Sequence, residues 1–180
     1  MAAPSTIYRV SIQLADVDNN RYETLRFTAA QHPSETPERL VARLLAYALS
    51  YEEELTFRNG VSCGDEPDVW LKDPNERYQK WIEVGLPDPE RLRKATRQSP
   101  EVVVFAYGPA RHRWENQHLA VLSKLSGLQI YGLDIDFLRQ LCASLERVID
   151  WNLTVTEGIL YLTVAETTLE SPLSCLLGSS

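Results

Sequence analysis

The run Glu-Val-Val-Val-Phe-Ala-Tyr at Glu101–Tyr107 constrains the fold more than any other stretch. A strand points successive side chains to opposite faces, so consecutive apolar residues predict a strand covered on both sides. Such a strand belongs in the middle of a sheet, with further layers above and below. The expectation is an α/β protein of one domain over residues 1–180, a mixed sheet flanked by helices with additional β-hairpins at both ends.

Local patterns supply those layers. Thr6–Leu14 alternates cleanly, with Tyr8, Val10, Ile12 and Leu14 on one face. The turn-forming run Asp16–Asn20 and a second strand at Tyr22–Thr28 complete a hairpin. Asp16, Asp18 and Asn20 have EF-hand-like spacing, but the loop's glycine and glutamate are missing, so a polar turn is expected. A long helix is expected over His32–Glu54, capped by Ser34 or Thr36, with Leu40, Val41, Leu44, Leu45, Ala48 and Leu49 as its core stripe. Strands follow at Leu55–Val61, Val69–Leu71, Trp81–Val84 and Leu128–Tyr131, and helices at Asp88–Arg97, Arg111–Lys124 and Asp134–Leu145. Asp150–Thr156 and Ile159–Val164 flank the turn Glu157-Gly158, and Leu169–Leu176 reads as a last edge strand.

Composition narrows the class. Three widely spaced cysteines, Cys63, Cys142 and Cys175, show no metal spacing and suit a cytoplasmic protein with reduced thiols. No run of apolar residues is long enough to span a membrane, and no signal peptide is expected. The net charge of −7 argues against indiscriminate adhesion to nucleic acid. The charge is uneven, however: Arg77–Arg113 holds eight basic residues against four acidic ones. No P-loop, Rossmann glycine pattern, G-x-S-x-G or CxxC occurs, so no organic cofactor is expected.

Function is sought in Asp65–Lys94. It places Asp68 after Pro67, then Glu83 inside the apolar run Trp81–Val84, then a basic helix with Arg91, Arg93, Lys94 and Arg97. On a strand Glu83 faces away from Ile82 and Val84, and a buried carboxylate needs a cation, a metal or hydrogen bonds. One reading is a buried ion pair of Glu83 with Arg91, Lys94 or Arg39. Asp68 then serves a turn or a helix cap. Glu35 and Glu38 either favour the dipole of the first long helix or, for Glu38, point toward the acidic residues. Trp70, Trp81, Trp114 and Trp151 suit a core, with Trp114 the best base-stacking candidate.

The motifs HPSET-ER (His32–Arg39), DEPD-W (Asp65–Trp70), WIE-GLPD (Trp81–Asp88), R--KA (Arg91–Ala95) and V-F-Y (Val103–Tyr107) resemble the YaeQ family of small bacterial proteins over nearly the whole chain. The resemblance implies a variant of the restriction-endonuclease-like, PD-(D/E)XK fold. It makes Pro67-Asp68 and Glu83 the matching carboxylates, with 14 residues between them. They would be the ligands of Mg²⁺ or Mn²⁺, which takes hard oxygen donors. The lysine two residues after the Glu is Gly85 here, so Lys94 on the following helix is the expected substitute. The expected catalytic set is Asp68, Glu83, Lys94 and Glu38. The functions implied are a divalent-metal-dependent nuclease or, alternatively, a catalytically silent binding or regulatory protein. Partners are then nucleic acid, other proteins or the transcription machinery, without a membrane.

Overall fold

The computed structural model describes residues 3–59 and 64–178. Its strands form two sheets. Strand β1 (Thr6–Asp16) and β2 (Arg21–Gln31) make the amino-terminal hairpin. The carboxy-terminal hairpin, β8 (Val148–Thr156) with β9 (Ile159–Val164), lies beside it, because β8 pairs in parallel with β1. With β10 (Thr167–Pro172) the first sheet runs β10-β9-β8-β1-β2.

The second sheet runs β11-β7-β6-β5-β4-β3. Its centre is parallel: β5 (Tyr78–Val84), β6 (Glu101–Ala106) and β7 (Leu128–Gly132). Antiparallel strands flank it, β4 (Val69–Lys72) and β3 (Thr56–Phe57) on one side and β11 (Ser174–Leu177) on the other. The apolar run at Glu101 is thus a central strand, with Val102 through Ala106 all buried.

Helices cover both faces of this second sheet. Helix α1 (Pro37–Leu49) is capped by Thr36, whose hydroxyl accepts from Arg39 N, and is buried at every position from Leu40 to Leu49. A helix apolar nearly all round fits only between layers. It packs with α4 (Ile135–Ala143, capped by Asp134) among residues of both sheets. On the opposite face α2 (Pro89–Gln98, capped by Asp88) and α3 (Arg111–Leu122) bury Leu92, Ala95, Trp114 and Leu122 against Trp81, Val102, Val104 and Ile130.

Three expectations change. The first helix is shorter than His32–Glu54: Thr36 caps its start, and Ser50 at its end bonds back to Ala46 O. The strand expected at Leu55–Val61 is reduced to Thr56–Phe57, and its last two residues lie outside the described ones. The single edge strand expected at Leu169–Leu176 is two strands in different sheets. Leu173 carries the chain across, with its N–H donating to Gly158 O at 2.8 Å.

Candidate functional site

The three parallel strands end together at Val84, Ala106 and Gly132. The carboxyl edge of parallel strands is where open α/β sheets tend to bind ligands. Asp68 and Glu83 meet there.

Asp68 directly precedes β4, where Asp68 N donates to Ile82 O. Its carboxylate is buried and fully engaged: Arg39 Nη2 donates to Oδ1 at 2.5 Å, and Val84 N donates to Oδ2 at 3.0 Å. Arg39 comes from the first turn of α1 and also reaches Val84 O at 3.3 Å. The same guanidinium lowers the Tyr107 hydroxyl, while burial, the larger effect, raises it.

Glu83 faces α2, as its place between Ile82 and Val84 requires. It is 3% exposed. Trp81, two residues earlier on the same face, donates its Nε1–H to Glu83 Oε1 at 2.8 Å, and Arg91 donates Nε–H to the same oxygen at 2.7 Å. Arg91 also binds the carbonyl oxygens of Gly64 and Glu66. Burial pushes the Glu83 carboxyl above its ordinary value. The Trp81 hydrogen bond and the Arg91 charge oppose this, and the Asp68 charge adds to it. The ion pair is short, yet the loss of hydration outweighs it.

Each carboxylate therefore has its own arginine. Among the described residues no three His, Cys, Asp or Glu side chains are grouped to hold a metal ion. As placed, the two carboxylates do not offer a divalent cation a free set of oxygens: both Asp68 oxygens and Glu83 Oε1 already accept hydrogen bonds, from Arg39, Val84 N, Trp81 and Arg91.

The other expected site residues lie elsewhere. Lys94 is exposed on α2 and has no hydrogen bond or ion pair among the described residues; Arg91, one turn earlier, holds the place beside Glu83 expected of it. Glu38 faces α4, where its charge adds to the rise of the Cys142 thiol, to about 11. Glu35 holds Arg43, with Nε–H to Oε1 at 2.7 Å and Nη2–H to Oε2 at 2.8 Å. Trp114 is buried and donates Nε1–H to Pro87 O at 3.0 Å, so it is a core residue and no stacking platform. Glu66 pairs with Arg58, and Asp65 is exposed. The turn at Asp16–Asn20 is tied by hydrogen bonds from Asn19 to Asp16 and by the Arg21–Asp16 pair. Sequence reasoning missed Trp81 as a ligand of Glu83, although their two-residue spacing on one strand was the signal. Tyr107 left no signal.

Outward from Glu83 the surface turns basic. Pro89–Lys124 holds seven basic residues and three acidic ones, in a chain of net charge −7. All three acids are committed: Glu90 to Arg93, Glu101 to Lys80, and Glu115 to Arg111 and His112. Lys94, Arg97, Arg113 and Lys124 are exposed and have no acidic partner among the described residues.

The family model described as "YaeQ protein" matches residues 1–173. The YaeQ protein of Salmonella typhi is 38% identical over 175 residues, covering 97% of each chain. That of Escherichia coli K12 is 35% identical over 171 residues, covering 94% of each. The crystal structure of YaeQ from Pseudomonas syringae superposes with a TM-score of 0.91 at 39% identity, over 99% of each chain. That from Xanthomonas axonopodis pv. citri gives 0.91 at 34% identity, over 95% of this chain and 97% of the other. Among the described residues no helix is long and apolar enough to cross a membrane.

Proposed function

The chain belongs to the YaeQ family, and from that premise we propose that it is a catalytically silent, restriction-endonuclease-like protein that binds nucleic acid. The carrying observation is the outer face of α2 and α3. Lys94, Arg97 and Arg113 on these helices, and Lys124 just beyond α3, are exposed cations without acidic partners among the described residues; Arg9, Arg26, Arg77 and Arg147 elsewhere share that state, but only here do they fall in a stretch with a surplus of basic residues. Phosphate neutralisation drives nucleic-acid binding, and cations not already committed to carboxylates are the ones that can release counterions. On this reading Asp68 and Glu83 are scaffold. With Arg39 and Arg91 they fix α1 and α2 against the sheet edge.

The test is fluorescence anisotropy with labelled single-stranded DNA, duplex DNA and an RNA hairpin at 50 and 200 mM salt. Binding should weaken roughly 20- to 150-fold over that range, as expected for about three or four phosphate contacts. Lys94→Glu with Arg97→Glu should weaken it further and flatten the salt slope. Binding that ignores salt or these charge reversals refutes the reading.

A second reading is a Mg²⁺- or Mn²⁺-dependent nuclease using Asp68 and Glu83. It is favoured by one observation: the two carboxylates are neighbours at the sheet edge, since Asp68 Oδ2 accepts from the backbone N–H of Val84, the residue next to Glu83. It requires Arg39 and Arg91 to leave their carboxylates. Melting temperatures with Mn²⁺ and with EDTA decide. A rise with Mn²⁺ in the wild type and none in Glu83→Gln, through linkage, supports metal ligation and warrants a cleavage screen. No rise leaves the binding protein.

A further inference from the structure

A cavity of about 830 Å³ lies between the two sheets. That is within the ~300–1,000 Å³ usual for small-molecule sites. Its lining runs along β6 and β7 from Glu101 and Gln129 to Phe105 and Tyr131, on the sheet face opposite Glu83, and includes neither Asp68 nor Glu83. Of α1 only Leu49, its last residue, lines it, and no residue of α4 does.

Its interior is apolar and aromatic. Val103 and Phe105 rise from the second sheet, Val155 from the first, and Leu173 from the crossover between them. The Phe105 and Tyr131 rings stack at 5.5 Å between centroids. The rim is preformed. Asp18, in the β1–β2 turn, accepts hydrogen bonds from Glu157 N at 2.7 Å and Gly158 N at 2.9 Å, which bolts it to the β8–β9 turn. Preorganisation of this kind lowers the cost of binding.

The electrostatics select the ligand. Four carboxylates line the cavity, Asp16, Asp18, Glu101 and Glu157, against two cations, Arg21 and Lys80. Both cations are paired with carboxylates, although the buried Nε–H of Arg21 has no acceptor among the described residues. Arg21 binds Asp16 and the carbonyl oxygens of Leu49 and Tyr51. Lys80 bridges Glu52 at 2.5 Å and Glu101 at 3.4 Å. Glu157 has no cationic partner among the described residues, and Glu101 shares its only one. An anion here meets surplus carboxylate, whereas a cation meets uncompensated charge beside an aromatic wall.

We propose that the cavity between the two sheets binds a small organic cation with an apolar body, an aryl- or alkylamine. The ammonium sits at the rim between Glu101 and Glu157, and the apolar body lies between the sheets against Phe105, Tyr131 and Val155. No covalent step is involved.

The test uses three probes with one ring and three charges: phenethylamine, 2-phenylethanol and phenylacetate, titrated calorimetrically into the full chain. Phenethylamine should bind at least fivefold more tightly than the alcohol, and phenylacetate most weakly. Glu101→Gln with Glu157→Gln, both at solvent-accessible positions, should remove most of the amine's advantage and leave the alcohol unchanged. Leu173→Trp should block all three. A variant that keeps the wild-type melting temperature while losing the probes counts as blocked. Equal affinity for the three probes, no binding at millimolar concentration, or amine binding unmoved by both sets of substitutions overturns the proposal.

Discussion

At the scale of single residues, Glu83 shows why a buried charge must be read with its neighbours. The sequence placed a carboxylate on the covered face of a strand, and its need for a partner followed from physics alone. Which partner it took did not. Arg91 and Lys94 both follow on one helix, and the phase of that helix, set by Leu92 and Ala95 burying toward Trp81 and Val104, turns Arg91 inward and leaves Lys94 exposed. The consequence is a pH dependence. Burial raises the Glu83 carboxyl above its ordinary 4.5 in the folded chain. The folded state then binds a proton that the unfolded state has released, so stability falls as pH rises from that ordinary value through the elevated one. Glu83→Gln removes the titration and can keep the hydrogen bonds from Trp81 and Arg91. Urea unfolding at a series of pH values from 4 upward should show the wild type losing stability relative to Glu83→Gln across that window. The difference should level off above it. Parallel curves for the two proteins would mean that Glu83 keeps an ordinary carboxylate affinity in the fold.

At the scale of elements, α1 was legible as an apolar helix, but its role as the slab between two sheets was not. The stripe Leu40, Val41, Leu44, Leu45, Ala48 and Leu49 predicts one buried face. The structure buries Arg43 as well, on another face. Arg43 can be buried because each of its three guanidinium nitrogens has an acceptor. Its fork meets Glu35, Arg58 O accepts at 2.7 Å and Ala30 O at 3.2 Å, and the guanidinium lies 4.7 Å from the centre of the Phe57 ring. One side chain thus joins α1, the end of β2 and the segment after β3, segments far apart in sequence, which is why periodicity could not foresee it. Arg43→Met fills similar volume but takes both short hydrogen bonds from the Glu35 carboxylate, leaving it only Arg39 at 3.9 Å, and removes a donor from two carbonyl oxygens. Breaking a buried pair by removing one partner costs about 3–5 kcal/mol. Chemical denaturation should report a loss in that range, and Glu35→Gln in the Met background should recover part of it. A loss below ~1 kcal/mol would show that the network contributes little beyond packing.

For the whole molecule, the hairpins at both ends were legible in their alternation and turns. Their union was not: the parallel pairing of β1 with β8 joins residues about 140 positions apart, and no local pattern encodes a register of that span. Nor did any local signal mark Leu173 as the point where the last segment leaves one sheet for the other. These two long-range links decide how the molecule unfolds. Among the described residues there are two hydrophobic clusters, one holding α1, α4 and residues of both sheets, the other between the second sheet and α2 with α3. They share strands residue by residue: on β5, Ile82 and Val84 enter the first cluster and Trp81 the second. A strand cannot lose one face and keep the other, so the clusters should melt together, as single domains of this size usually do. Trp151 in the first cluster and Trp81 in the second are both buried and report separately. In variants that keep only one of these two tryptophans, with phenylalanine at the other three positions, each fluorescence transition in urea should coincide with that variant's own far-ultraviolet circular dichroism. A Trp81 signal that moves at lower urea than the backbone signal would mean that α2 and α3, and the basic face they carry, detach as a unit of their own. Nucleic-acid binding would then have to be lost in parallel with that earlier step.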